Sequence, residues 1–515
     1  MASAGGMSSV PAPDEDIAAL AKGGRTNFFG FVIRLVARIP FLFIAGRLYG
    51  PELLGRFAYA VLIMELGAQL ATIGLKRGLA QQLSTTDQPH VCVVADALAA
   101  AFIASAIASA ILMVFPQAMY PGGDIRGAEW LLPLVIFGIV GADIALAALA
   151  YRHDVKSTVH VRAIVEPWVI SIAAGVLFYT MFWRDGLILA YVASVVAGLA
   201  AALWRLFQSY GAPHGWKPHP AELTAVARRN IPLAAADAIE WGSRRLDIAI
   251  LGLFVQPYYV GLYYVAQQVA SMPQKLKTSF DPILAPVITQ KLAEGDKAAV
   301  ARQVRQVGFW IIAAQAGIAL ALGIPGEALM GLVGPQFVGG TAALAFLLAA
   351  EVVAATAAVS ESALVYVARH RNLMISTLMI GVQALLTIAI IQGMRFLPIP
   401  HDKVQAYQAA GAALALALAL GMASILKARL LGRLLDAPVH GWRWSLIWAA
   451  AAASVVGFVV TKVPEWLELS VGAPLILVTF GAVVWYRGFT HEDRALFRKH
   501  GPEEPTLPTS EPATP

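Results

Sequence analysis

From about residue 27 onward the chain alternates long apolar runs with short polar breaks rich in Gly, Pro and Asp. Runs of about 20 apolar residues are long enough to cross a bilayer as helices. Fourteen such runs can be marked, at roughly 27–48, 53–74, 91–115, 129–150, 160–181, 187–208, 229–254, 258–285, 304–324, 341–367, 372–393, 404–426, 442–462 and 468–486. They are continuous rather than alternating in short segments, so a β-barrel is excluded. The predicted fold class is an all-α polytopic membrane protein with about 14 transmembrane helices.

One stretch occurs twice. Asn27 to Ala80 reads as an apolar helix carrying Arg34 and Arg38, a tight turn from Gly46 to Arg56, a second apolar helix and a basic step at Lys76-Arg77. Shifting the numbering by 206 places Arg38 on Arg244, Gly46 on Gly252, Pro51 on Pro257, Gly55 on Gly261 and Ala60 on Ala266. Three of these five identities are Gly or Pro at a turn, the mark of a duplicated unit such as transporters use. The long connection 209–228 contains Pro213, Pro218 and Pro220 and lies near the middle of a twelve-span core. The expected organisation is then a segment at 1–26, one six-helix lobe at 27–208, a hinge loop at 209–228 and a second, pseudo-symmetric six-helix lobe at 229–426. Two extra C-terminal helices at 442–486 and a tail at 487–515 complete it. The Pro-rich end of the tail is expected to be disordered.

Composition agrees with a membrane solvent. Hydrophobic residues make up 58% of the 515 residues and charged residues only 14%, against about 25% charged in soluble domains. The net charge of +6 is explained by loop placement rather than by nucleic acid. With the N-terminus inside, 27 of the 38 Lys and Arg residues fall in inside segments, seven outside and four within spans. This bias orients the chain with both termini cytoplasmic. Met1 to Lys22 holds Asp14, Glu15 and Asp16 and lacks a basic region followed by an apolar core, so the first span is expected to act as an uncleaved insertion signal. Cys92 is the sole cysteine, and the ten histidines fall in loops or at span edges. No cofactor and no metal site is expected. Neither a Walker A sequence nor a nucleophile elbow is present, and no outer loop is large enough to shelter a reaction, which argues against an enzyme.

The spans nevertheless carry charge, at about 2.5–3.5 kcal/mol each on insertion scales. At 1.5 Å per residue Arg34 lies about 10 Å and Arg38 about 16 Å into the first span. Four residues apart, they share one helix face. Like charges side by side make sense where that face lines a wet cavity or meets an anion. The seventh span repeats the theme with Asp237, Glu240, Arg244, Arg245 and Asp247. It either walls the same cavity or is neutralised internally by Glu240–Arg244 and Arg244–Asp247 pairs. Glu65, Asp143 and Glu351 are deep enough to pair with Arg34 or Arg38 or to carry a coupling H⁺ or Na⁺. Asp96 and Glu166 lie near span ends and read as interfacial.

The run Gly-Arg-Leu-Tyr-Gly-Pro-Glu-Leu-Leu-Gly-Arg-Phe-Ala-Tyr-Ala at 46–60 resembles the start of Wzx-type polysaccharide-export flippases, which belong to the multidrug/oligosaccharidyl-lipid/polysaccharide exporter superfamily. Asp247 to Phe254 with Val260 to Ala266, Pro286 to Asp296, Gly334 to Phe337 and Glu492 to Leu496 are similar to it as well. The resemblance implies a central cavity between the lobes, alternating access by rocking and a bacterial inner-membrane location. It implies a polyprenyl-pyrophosphate-linked oligosaccharide as cargo, in the company of membrane lipids and of the pathway's polymerase and glycosyltransferases. It also implies that first-helix arginines, here Arg34 and Arg38, bind the pyrophosphate. A peptidoglycan-precursor flippase and a multidrug/cation antiporter of the same superfamily are the competing readings. The antiporter would favour an acid-dominated cavity.

Overall fold

The computed structural model describes Ala37, residues 39–123 and residues 125–490, without the side chains of residues 243, 274–287, 289, 290 and 293. Arg34, Arg38, the segment 1–26 and most of the tail lie outside the described residues. All regular structure within them is helical. Among the described residues, ten helical segments are long and apolar enough to cross a membrane, so this is a multi-pass membrane protein.

The first of these segments, Ile39–Thr85, contains the repeated turn. Its π-helical Ala45–Tyr49 passes directly into α1, Gly50–Ala71. Pro51 suits the start of α1, because the first turn of a helix has no intrahelical use for the missing N–H. Gly74, at φ +68°, ends the passage beyond α1 and starts α2, Leu75–Thr85. The Lys76-Arg77 step expected to end the helix therefore sits inside a resumed one. α3 (His90–Val114), α4 (Leu132–Tyr151), α5 (Glu166–Phe178) and α6 (Gly186–Tyr210) follow. A π-helical stretch, His160–Val165, leads into α5. Before it, Asp154 caps the short helix Val155–Val159, accepting from the Ser157 N–H at 3.1 Å and its Oγ at 2.6 Å. The Ser157 hydroxyl bond holds the Asp154 carboxyl below its usual range.

α7 (Pro220–Phe254) and α8 (Pro257–Ala293) exceed membrane length but are too polar to count as apolar spans. α9 (Lys297–Gly323), α10 (Thr341–Val367), α11 (Arg369–Gly393) and α12 (Val404–Leu435) are apolar. α13 (Trp444–Val460) is apolar but short, and α14 (Ala473–Val483) belongs to the last apolar segment. The connection before α7 is fastened to the first half, because Trp216 donates its indole N–H to Asp96 at 2.8 Å. Asp96, near the start of α3, is buried there because the loop that supplies its hydrogen-bond donor covers it.

One hydrophobic core runs from α1 through α6 and continues into α7, α8 and α10. A second gathers α9, the end of α12, α13 and α14. The two copies of the repeated turn touch each other. α1 packs on α8, and the contact centres on the repeat-related Gly55 and Gly261. A Cβ on Gly55 would stand 1.8 Å from the Pro257 carbonyl oxygen, and one on Gly261 2.1 Å from that of Pro51. The contact is thus reciprocal, as a pseudo-two-fold relation requires. Backbone meets backbone, so no side chain can yield.

Gly55→Ala should lower stability by about 1–3 kcal/mol or more, as overpacking does. Gly381→Ala, in a helix where nothing lies within 4 Å of a new Cβ, should leave it unchanged or raise it by up to ~1 kcal/mol. Thermal unfolding of the detergent-solubilised variants checks both.

Candidate functional site

A cavity of about 420 Å³ lies between the first half of the chain and α7 and α8. Its size falls in the range of small-molecule sites, ~300–1,000 Å³. From α1 come Phe57, Glu65 and Gln69, with Lys76 from α2. α4 adds Asp143, the π-helical stretch adds Arg162, and α5 and α6 add Glu166 and Tyr191. Across from them stand Trp241 and Arg245 of α7 and Tyr264 and Gln268 of α8. Trp241, Arg245 and Ile248 follow the 4- and 3-residue steps of one helix face, as do Tyr264, Gln268 and Ser271.

Arg162 is the electrostatic centre. It donates Nη1 to Glu166 Oε1 at 2.6 Å and Nη2 to Asp143. Lys76 Nζ stands 3.6 Å from the other Asp143 oxygen. A cation at membrane depth needs such partners, because an unpaired charge in a low-dielectric interior is costly. The charge count places Arg162 with the inside segments, and Glu166 reads as interfacial; the structure puts both side chains in the cavity lining. The π-helical stretch adds a residue to the turn and carries Arg162 round to the cavity. A legible signal was the four-residue spacing of Arg162 and Glu166, which puts an ion pair on one helix face.

The other sequence-chosen residues divide. Glu65, Asp143 and Arg245 line the cavity. Arg245 is held by Gln267, whose Oε1 accepts from Nη1 at 3.2 Å. Arg244 is outside the lining and binds Glu240 at 3.1 Å. The alternative Arg244–Asp247 pair does not form. Asp247 is fully buried and accepts from the Tyr263 hydroxyl and, at 3.3 Å, from Gln267 Nε2. It ties α7 to α8. Glu351, on α10, lies outside the lining. Asp237 and Glu240 meet a partner that the sequence did not suggest. Arg77 reaches from α2 to Asp237 Oδ1 at 2.9 Å and to Glu240 Oε2 at 2.5 Å. The halves therefore meet at both ends of α1 and α2, by glycine backbone at one end and by ion pairs at the other.

The charges of the described lining balance: Lys76, Arg162 and Arg245 against Glu65, Asp143 and Glu166. The lining begins at Ile39, one residue after Arg38 in the chain. Among the described residues no cluster of His, Cys, Asp and Glu could hold a metal ion.

Comparison with known proteins gives a consistent result. A family model described as "Polysaccharide biosynthesis protein" matches residues 44–321. Comparison with curated proteins finds no match. Among solved structures, one described as "Lipid II flippase MurJ, inward closed conformation" is similar over 92% of this chain and 100% of its own, with a TM-score of 0.69 and 11% identity. An inward-facing multidrug resistance MATE family transporter of the MOP superfamily is similar over 78% of this chain and 95% of its own, with a TM-score of 0.62 and 13% identity. At such identities the likeness is one of fold, and the fold is MurJ/MATE-like.

Arg77→Ala should destabilise the protein, because it leaves the buried Asp237 without its cation. Adding Asp237→Asn should recover part of the loss. A double-mutant cycle by thermal unfolding should show a coupling of about 0.5–3 kcal/mol.

Proposed function

Because the chain belongs to the polysaccharide biosynthesis protein family, a transporter family, we propose that it is a flippase. It moves a polyprenyl-pyrophosphate-linked oligosaccharide repeat unit across the bacterial inner membrane by alternating access. The observation that carries this reading is the cavity lined by six charged side chains, among which Arg162 is shared between Asp143 and Glu166. A lipid-linked saccharide has a charged, hydrated head that must cross an apolar layer, and a cavity whose otherwise apolar wall carries charged side chains and amides offers it a route. The balanced lining also disfavours a cation antiporter, for which acids should predominate.

Fourteen spans follow if α7, α8, α13 and the stretch 27–48 join the ten apolar segments. The repeat then divides them into lobes at 27–208 and 229–426 with two added helices at 442–486. Both termini lie on the cytoplasmic side. The described lining has no net surplus of positive charge, so the pyrophosphate is assigned to Arg34 and Arg38, with Arg245 of the described lining as a further candidate. Guanidinium groups suit it because their planar donors bind phosphate oxygens in pairs. Glu65 and Asp143 are the acids placed to respond to H⁺ or Na⁺. Polymerase and glycosyltransferases of the same pathway are the expected partners.

Deleting the gene should trap the lipid-linked oligosaccharide on the cytoplasmic leaflet. Arg38→Ala should abolish export, and the trapped lipid should be recovered by extraction although the protein is still inserted. Normal export by this variant would remove the cationic site from the reading. Normal polysaccharide and no trapped lipid in the deletion strain would remove the flippase assignment itself.

A further inference from the structure

Three cations line the described cavity, and they are not held alike. Arg162 is shared between Asp143 and Glu166, and Lys76 Nζ stands 3.6 Å from Asp143. Arg245 meets no carboxylate. Among the described residues its guanidinium has one partner, the Gln267 amide, to which Nη1 donates at 3.2 Å. The nearest acid along the chain is Asp247, and two residues on a helix do not share a face. Asp247 is fully buried toward α8, where it accepts from the Tyr263 hydroxyl and, at 3.3 Å, from Gln267 Nε2. Gln267 therefore stands between a guanidinium and a carboxylate. Its two ends are fixed by chemistry: arginine only donates and a carboxylate only accepts, so the amide oxygen faces Arg245 and the NH₂ group faces Asp247. Tyr263 and Gln267, four residues apart, share the face of α8 that covers Asp247. Tyr264 and Gln268, one position on, line the cavity instead.

We propose that Gln267 is a positioning residue that sets the sign of charge this wall of the cavity accepts. It fixes Arg245 through a neutral contact and keeps Asp247 off it, so the guanidinium charge is left for an anionic group of the cargo. The inference rests on the flippase reading and adds to it a residue outside the lining that acts through Arg245. An amide oxygen satisfies one of the five guanidinium N–H donors and cancels none of the charge. A carboxylate in its place would form a charge-assisted pair with Arg245, and an arriving anion would have to displace it. A cation at membrane depth with only a neutral partner is costly. A phosphate oxygen relieves that cost at Arg245, whereas Arg162 already has its acids. The hydrogen bond to Gln267 also holds the long side chain in place before the anion arrives, so less freedom is lost on binding.

The test exchanges the amide and the carboxylate. Asp247→Asn combined with Gln267→Glu keeps the net charge, and the hydrogen bonds can be remade, with the amide at 247 donating to the carboxylate at 267. Full-length protein in nanodiscs is titrated with undecaprenyl pyrophosphate and, as the uncharged reference, with undecaprenol. The exchange should weaken the pyrophosphate lipid at least about tenfold and leave undecaprenol within about twofold of its wild-type affinity. Arg245→Gln should cause a loss of similar size, and adding the exchange to it should cause no further loss. A packing defect between α7 and α8 would instead weaken binding whether or not Arg245 is present. Gln267→Met, which conserves shape and removes the anchor, serves as a second variant should the exchange not fold. It should weaken the pyrophosphate lipid several-fold, and likewise have no effect on top of Arg245→Gln. Wild-type pyrophosphate affinity in the variants, or a loss that persists undiminished with Arg245→Gln, would overturn the positioning role and leave the flippase reading intact. Failure of the wild type to distinguish the two lipids would overturn the cationic site of the flippase reading as well.

Discussion

Two helices can meet backbone to backbone only where neither brings a Cβ to the crossing, and the relation between the halves of this protein depends on one such place. Gly55 and Gly261 lie against each other's turns so closely that a methyl group on either would overlap a carbonyl oxygen. Close packing of this kind is how helices associate in a membrane, where lipid is as apolar as the side chains and burial alone supplies little drive. The contact sits at the turn end of α1. From there α1 and α8 present the Phe57 to Gln69 and Tyr264 to Met272 faces to the cavity. The Arg77 ion pairs to Asp237 and Glu240 join the same halves beyond the other end of α1.

Charge sets the second constraint. The chain places arginines and carboxylates in segments that otherwise read as lipid-facing, and two of these arginines have found acids while Arg245 is held by the Gln267 amide. Arg162 lies between Asp143 and Glu166, and Arg77 reaches Asp237 and Glu240. The outcome is a cavity whose charged side chains balance in its described part.

The helices, the repeat and the turn glycines were legible because they follow from run length and from residues with few conformational substitutes. The 206-residue register paired Gly55 with Gly261, and the structure brings that same pair into contact. The cavity was only partly legible. Glu65 and Asp143 read as deep acids and Arg245 as one of the charges of the seventh span, and all three line it, whereas Arg244 and Asp247 of that span turn elsewhere and the deep Glu351 lies outside the lining. Depth along a helix is set by residue count, but direction is set by local winding. The π-helical His160–Val165 rotates Arg162 inward, and hydropathy carries no trace of that rotation. Arg77 was misplaced for a related reason: a basic pair after an apolar run reads as a loop, while Gly74 lets the helix resume and carries the guanidinium to α7.

The central claim is that the chain alone moves a pyrophosphate-linked saccharide between leaflets. The most direct measurement uses purified protein in sealed liposomes that carry the lipid-linked oligosaccharide extracted from the deletion strain. A membrane-impermeant glycosidase added outside then reports which leaflet the sugar occupies. The account predicts that cleavage passes beyond the outer-leaflet half when the protein is present and stops there with protein-free liposomes. Cleavage that stops at the outer half in both preparations, with the protein folded and inserted, would contradict it.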